Sequence, residues 1–310
     1  MRRIERVVLC GAGAVGALYV PLLHDLDPGL LRVLAGGARR ERLLAEGLTV
    51  NGRRLPVSVV APGEAAEPAD LLLVAVKQHH LAAVLDEAGG VVGPRTIILS
   101  LLNGITSEEL LGRAFGEERV LPAFVLGTDS VREGSSSRHS TMGHIVFGAP
   151  SNDPADPRVA AVRDLLDRAG IPCRVPADIL REQWFKFMLN VGVNQVSAIL
   201  RAPYGAFGSV PEVRELTRAA ALEVVALSAH AGVPLAAADV DRIFPILAAL
   251  APGGKTSMLQ DVEAGRKTEV EIFAGAVVGL GRRHGVPTPV NEVLGKLLAG
   301  VERLAGVTGA

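Results

Sequence analysis

At 310 residues the chain is long enough for two domains with sizeable cores, and 49 % hydrophobic residues exclude a disordered chain. The formal net charge is −1 with no long basic run, which excludes an electrostatic nucleic-acid footprint. No apolar stretch reaches the length of a membrane-spanning helix.

The first six residues, Met1-Arg2-Arg3-Ile4-Glu5-Arg6, carry charge, but the apolar segment behind them breaks at once into Gly11 and Gly13. That pattern reads as a strand and not as a signal peptide. The strand Val7-Val8-Leu9-Cys10 runs straight into Gly11-Ala12-Gly13-Ala14-Val15-Gly16, a G-x-G-x-x-G loop with a helical stretch behind it. Gly11 suits a tight turn, Gly13 lets a backbone approach a pyrophosphate, and Gly16 lets helix and strand pack closely. The N–H groups at the helix start then receive the phosphates. A plain βα turn with no ligand is the weaker alternative, because the loop opens a βαβ unit.

Further strands are expected at 31–35, 57–61, 71–76, 96–99 and 120–125, with helices at 39–46 and 79–87 between them. Runs of Val, Ile and Leu alternating with helices predict an α/β fold with a Rossmann-type, doubly wound parallel sheet. Residues 132–143 are polar, with Ser135-Ser136-Ser137, and read as a surface loop. A strand at 144–147, a helix at 158–169 and a strand at 173–175 follow. From 179 onward the period is helical throughout: 179–199, 211–231, 240–250, 257–264, 269–284 and 290–304. The expected domains are a dinucleotide-binding domain at 1–177 and a C-terminal all-helical domain at 178–310, with a cleft between them as the usual place for a small substrate. Cys10 and Cys173 both lie in apolar strand-like segments, with no disulfide or metal-ligand spacing. They read as buried packing residues of a cytoplasmic protein.

The second strand ends Leu34-Ala35-Gly36-Gly37-Ala38 and is followed by Arg39, Arg40 and Arg42. No acid stands there to bond a ribose 2′-hydroxyl, and guanidinium suits a 2′-phosphate, so NADP is the expected cofactor. Positive charge at a helix start is unfavourable by itself, which an anionic ligand would relieve.

Lys77 follows the buried run Leu71-Leu72-Leu73-Val74-Ala75-Val76, and Asn103-Gly104 follows the next strand. Ligands of open α/β sheets bind at such carboxyl ends. His79 and His80 read as helix-start residues, with His79 an alternative acid. On the helix from Trp184 to Asn194, the polar residues Lys186, Asn190 and Asn194 fall at i, i+4 and i+8 and form one stripe. It lines either a substrate site or a buried helix contact. Ser257-x-x-Gln260 reads as a capping box, with Gly265 ending that helix. Thr268-x-x-Glu271 reads as a second box, which puts Glu269 in a helical first turn.

Together these residues resemble the ketopantoate reductase family (2-dehydropantoate 2-reductase). The carriers are the glycine loop, Lys77 in V-A-V-K, Asn103-Gly104 in L-L-N-G, Lys186-x-x-x-Asn190-x-x-x-Asn194, and Ser257-Met258-Leu259-Gln260-Asp261 with Ala264-Gly265 and Thr268-Glu269. The resemblance implies NADPH-dependent reduction of the ketone of 2-dehydropantoate on the way to pantothenate and coenzyme A. It implies Lys186 as the acid and Glu269 as the holder of the reacting oxygen and cofactor. Asn190, Asn194 and Ser257 would bind the substrate, and Asn103 and Lys77 would stand where cofactor and substrate meet. The cofactor set is then Gly11, Ala12, Gly13, Ala14, Val15, Gly16, Arg39, Lys77, Asn103 and Glu269. The partner is a small 2-oxo acid, and a homodimer is compatible with the family. The chain departs from the family pattern at Gly254 and Tyr204, where an Asn is often found, and at Gly36, where an Arg is often present. A paralogous reductase of another 2-oxo acid or ester, and a non-catalytic dinucleotide sensor, are the alternatives.

Overall fold

The run Val7–Cys10 forms strand β1, and its side chains alternate between two cores. Val7 and Leu9 join one apolar cluster, and Val8 and Cys10 join another. Leu71 and Leu73 against Leu72 and Val74, and Ile97 and Leu99 against Ile98, divide in the same way. A period of two with both faces buried is the signature of a sheet covered on each side.

The computed structural model describes residues 3–64, 67–134 and 136–307. The chain forms two compact units, Met1–Leu102 with Ser107–Ile179, and Asn103–Thr106 with Leu180–Ala310. In the first unit the strands after β1 are β2 (Leu31–Leu34), β3 (Leu48–Val50), β4 (Arg53–Leu55), β5 (Ser58–Val60), β6 (Leu71–Val74), β7 (Ile97–Ser100), β8 (Val120–Leu121), β9 (Ala123–Leu126), β10 (Val131–Glu133), β11 (Ser136–Arg138), β12 (His144–Phe147) and β13 (Cys173–Arg174). Six of them pair in the order β5-β2-β1-β6-β7-β8, all parallel. The chain winds outward from β1 to β5 and then returns to β6, so the order reverses between β1 and β6. This is the doubly wound sheet that the alternation of strands and helices predicts.

Three local expectations need correction. The segment 120–125 is two strands, because Pro122 has no N–H for the ladder. Its first half joins the parallel sheet, and its second pairs antiparallel with β12. The polar segment 132–143 is not all loop, since β10 and β11 pair with each other and β11 continues onto β3. The strands β3 and β4 had no counterpart in the sequence reading. Asn51-Gly52 turns them with φ of 49° and 79°, the two-residue hairpin that this dipeptide favours.

The helices of the first unit are α1 (Ala14–Ala17), α2 (Val20–Leu26), α3 (Gly37–Glu46), α4 (Leu81–Glu87), α5 (Ser107–Phe115) and α6 (Pro157–Arg168). The helix expected behind the glycine loop is broken into α1 and α2, because Pro21 cannot donate to the carbonyl of Ala17.

Apart from single 3₁₀ turns, the second unit consists of α7 (Ile179–Leu200), α8 (Ala206–Ser209), α9 (Pro211–Ser228), α10 (Ala237–Asp241), α11 (Ile243–Ala248), α12 (Ser257–Glu263), α13 (Ala274–His284) and α14 (Pro289–Leu304). No strand occurs among its described residues. Its core is a separate cluster built on Phe187, Val191, Phe207, Val224, Phe273 and Leu298. No described helix is long and apolar enough to cross a membrane.

Candidate active site

The glycine loop leaves β1 where the sheet order reverses. Gly11 has φ +98°, and a Cβ there would stand 2.7 Å from the backbone of Ala75, just beyond β6. Gly16 would drive a Cβ to 2.0 Å from the carbonyl oxygen of Gly11. A Cβ on Gly13 would meet nothing within 4 Å. Two glycines therefore close the turn against its neighbours, and the third leaves its surface open. No side chain caps α1, so the first N–H groups of the turn stay available to an anion. These residues fit the pyrophosphate of a dinucleotide. Lys77 lies three residues beyond β6, half-buried, at the start of the 3₁₀ turn Gln78–His80. His79 and His80 are exposed and lie in that turn.

Two side chains clasp the loop, one from β10 and one from the residue before it. The Ser130 hydroxyl donates to the Ala14 carbonyl at 2.6 Å, and the Arg132 guanidinium reaches the Ala12 carbonyl at 3.4 Å. Arg132 is a candidate that sequence reasoning missed, since its segment was read as loop. The Asn51-Gly52 hairpin signal could have led to it, because that hairpin carries β11 and β10. Arg39 lies in the first turn of α3, where no acid and no capping side chain is present. Burial, then the charge of Arg42, pulls Arg39 below the ordinary guanidinium value, against the opposing pull of Cys10 and Glu87. Burial, then Arg39 and Arg42, does the same to Arg132. Among the described residues no carboxylate forms an ion pair with any of the three. Mutually repelling guanidiniums beside a turn that fits a pyrophosphate are suited to a further phosphate.

In the second unit three expected residues form a hydrogen-bonded chain. Lys186 Nζ donates to Asn103 Oδ1 at 3.0 Å, and Asn103 Nδ2 donates to Glu269 Oε2 at 3.1 Å. Only this amide orientation offers oxygen to the cation and N–H to the carboxylate. Asn103 follows β7 in sequence, yet its contacts group it with the helical unit. Gly104, at φ +88°, approaches Ile272 so closely that a Cβ would stand 3.3 Å away. Lys186, Asn103 and Glu269 are all half-buried. Asn190 and Asn194 continue the stripe of α7, each only 8 % exposed. Neither amide has a hydrogen-bond partner among the described residues. Their amide atoms stay open to solvent although the residues are buried, so the stripe reads as a polar surface available to a ligand.

The capping of α12 departs from expectation. The cap is Thr256, whose hydroxyl accepts from the Leu259 N–H at 3.1 Å, and Gln260 instead reaches the Lys255 carbonyl. Ser257 is the first helical residue and is exposed, so its hydroxyl is not spent on the cap. The helix does end at Gly265, with φ +61° and paired bonds from Arg266 to Asp261 and from Gly265 to Val262. The second box does not form. Thr268 donates to Glu302, Glu271 pairs with Lys267, and α13 begins only at Ala274. Glu269 therefore precedes a single 3₁₀ turn and not the first turn of a helix, and Asn103 donates to its carboxylate.

Burial pushes the Cys10 thiol up to about 12, in keeping with a packing role. Cys173 is only half-buried. No group of three or more His, Cys, Asp or Glu placed to hold a metal occurs among the described residues.

Comparison with known proteins bears on both units. The family model described as ketopantoate reductase PanE/ApbA matches residues 7–152, and the model of its C-terminal domain matches 178–302. A 2-dehydropantoate 2-reductase of Archaeoglobus fulgidus is 30 % identical over 308 residues, covering 97 % of this chain and 99 % of the relative. The enzyme of that name from Aquifex aeolicus is 27 % identical, covering 96 % of this chain and 97 % of its own. Among solved structures, 2-dehydropantoate 2-reductase from Geobacter metallireducens superposes with a TM-score of 0.83 at 29 % identity, covering 95 % of this chain and 99 % of the other. D-mandelate dehydrogenase with NADH and anilino(oxo)acetate gives 0.87 at 21 % identity, covering 98 % and 100 %, a likeness of fold. With both of its domains matched and a full-length relative at this identity, the chain belongs to the ketopantoate reductase family of oxidoreductases.

Proposed function

We propose that this chain reduces a 2-oxo acid to the 2-hydroxy acid with NADPH, the reaction class of the relatives named for 2-dehydropantoate. The observation that carries the reading is the chain Lys186–Asn103–Glu269 beside two buried asparagines whose amides have no protein partner. Reduced nicotinamide, when bound, supplies a hydride. Negative charge then develops on the ketone oxygen, and the Lys186 ammonium stabilises it and gives it a proton. Asn103 holds Nζ through its amide oxygen while its N–H₂ is held by Glu269, so the donor keeps one position. Asn190, Asn194 and Ser257 offer hydrogen bonds to the substrate's carboxylate and oxygen. Gly11 to Gly16 would hold the pyrophosphate. Arg39, with Arg132 beside the same loop, would hold the 2′-phosphate.

A charge-assisted contact of that kind is worth roughly 1.5–3 kcal/mol. The expected preference for NADPH over NADH is therefore at least about tenfold in kcat/KM. Arg39→Ala and Arg132→Ala should each narrow it. The test is a panel of 2-oxo acids followed by loss of NADPH absorbance. Equal rates with both cofactors would remove the 2′-phosphate assignment. Tight NADPH binding with no turnover on any 2-oxo acid would point instead to a dinucleotide-sensing protein.

A further inference from the structure

Thr268, the residue before Glu269, is only 1 % exposed, and two of its polar groups go to one carboxylate oxygen. Its N–H and its hydroxyl both donate to Glu302 Oε1, at 2.8 and 2.5 Å. The same hydroxyl accepts from the Val270 N–H at 3.3 Å. It therefore bridges over Glu269, and the backbone on both sides of that residue hangs on Glu302. The Glu269 carbonyl accepts from the Ile272 N–H at 3.1 Å, which closes the 3₁₀ turn. The Glu269 side chain thus leaves from a fixed backbone to reach Asn103 Nδ2.

The helix α14 brings Glu302 to this place. Its first turn is tied to α9, since the Glu223 carboxylate accepts from the Val290 N–H at 2.7 Å, the Asn291 N–H at 3.0 Å and Asn291 Nδ2 at 2.7 Å. Asn291 is fully buried, and its Oδ1 accepts from Gln195 Nε2 at 3.0 Å. Gln195 follows Asn194 on α7, the helix that carries Lys186. At about 1.5 Å per residue, Asn291 and Glu302 stand roughly 16 Å apart along the axis. α14 therefore runs from the helix of Lys186 to the loop of Glu269, with a hydrogen-bonded contact at each end. Its last turn is closed as well. Gly306 has φ +71°, the Gly306 N–H donates to the Arg303 carbonyl at 3.0 Å, and the Val307 N–H donates to the Glu302 carbonyl at 2.9 Å. Glu302 is thus held in a capped turn and not on a fraying end.

We propose that Glu302 is a positioning residue for the reductase site: it fixes the backbone of Glu269 through Thr268, and with it the carboxylate that orients Asn103 and the Lys186 ammonium. The inference rests on the 2-oxo acid reductase reading above and adds a residue of the last helix to that site. Glu302 acts through Thr268 and Glu269 and not on the reacting atoms. Without it the Thr268 N–H and hydroxyl lose their acceptor inside the protein, and the loop must shift to satisfy them. A misplacement of about 1 Å at a reacting group costs as much as ~100-fold in rate. Both bonds fall on one oxygen, so Glu302→Gln, which keeps an acceptor oxygen, leaves them in place.

The experiment measures steady-state kinetics on the 2-oxo acid that the wild type reduces fastest with NADPH. The variants are Glu302→Ala, Glu302→Gln, Thr268→Val, and Glu269→Ala with and without Glu302→Ala. Glu302→Ala should lower kcat by about ten- to a hundredfold with KM little changed. Glu302→Gln should leave kcat close to the wild-type value. Thr268→Val, which keeps the shape and loses the hydroxyl, should lower kcat. Added to Glu269→Ala, Glu302→Ala should lower kcat no further, because two residues that act through one carboxylate do not add. Full additivity in that double variant would overturn the proposal and leave Glu302 a stabilising contact alone. An unchanged kcat in a folded Glu302→Ala, or a loss in Glu302→Gln as large as in Glu302→Ala, would also overturn it. Should Glu302→Ala not fold, Thr268→Val and Glu302→Gln decide: an unchanged kcat in the first or a fallen one in the second sinks the proposal. Each of these results leaves the reductase reading standing, because the wild type turns over. Reduction of no 2-oxo acid by the wild type would overturn that reading and this inference with it.

Discussion

At the scale of residues, the site turns on how one amide is shared. Asn103 gives its oxygen to Lys186 and its N–H₂ to Glu269, so each charged group is oriented by a neutral neighbour. Lys186→Ala should lower turnover by ~10²–10⁴-fold, the usual weight of general acid catalysis. NADPH affinity, measured by fluorescence titration, should change little, since the proposed phosphate ligands are in the other unit. Near-normal single-turnover hydride transfer in that variant would remove Lys186 as the acid and shift attention to Lys77 or His79. Glu269→Ala should act mainly on kcat and Ser257→Ala mainly on KM, if the first holds geometry and the second binds substrate as proposed. Steady-state kinetics with the two effects exchanged would reverse those roles. The identities of Lys186, Asn190, Asn194 and Glu269 were legible as candidates from the sequence. The link through Asn103 was not, since no spacing rule brings residues 103, 186 and 269 together.

At the scale of elements, caps and turns decide where those residues stand. Thr256 both caps α12 and bonds to Ser197 on α7. Thr256→Ala should cost about 1–2 kcal/mol of stability by the cap alone. It should also raise KM, because Ser257 is the next residue; denaturant unfolding and kinetics on the same sample would show both. The sequence indicated a helix start here but assigned the cap one residue late. Two adjacent hydroxyl residues are interchangeable as a pattern, and only the path of the chain chooses between them. Asp239 offers a second element-scale test. Burial alone would raise its carboxyl, but the Ala236 N–H and the guanidiniums of Arg181 and Arg242 hold it below the usual carboxylate range. Its folded value lies below its unfolded one, so its stabilisation is present above the unfolded value and is lost as pH falls through the folded one. Asp239→Asn should therefore destabilise the protein at neutral pH, by about 2 kcal/mol. The difference from wild type should shrink toward pH 3; a gap constant with pH would exclude the ionic contribution.

At the scale of the whole molecule, the proposed phosphate ligands and the proposed acid belong to separate compact units with separate cores. A ligand held by the first unit should stabilise the native chain by about 2.7 kcal/mol at a hundred times its Kd. NADPH should thus raise the unfolding midpoint, and NADH at equal concentration should raise it less. Arg39→Ala should bring the two shifts together. Identical shifts in the wild type would show that no residue reads the 2′-phosphate.

The amino-acid sequence by itself determined the parallel sheet, the helical second half, the glycine loop and the polar stripe on α7. Each follows from local period or from residues a few positions apart, which chain geometry alone relates. Tertiary structure alone decided the small sheet that carries Arg132 to the loop, the release of Ser257 from capping, and the contact of Thr268 with Glu302. Those depend on segments that meet after tens of residues of intervening chain, where propensity is silent and packing chooses the partner.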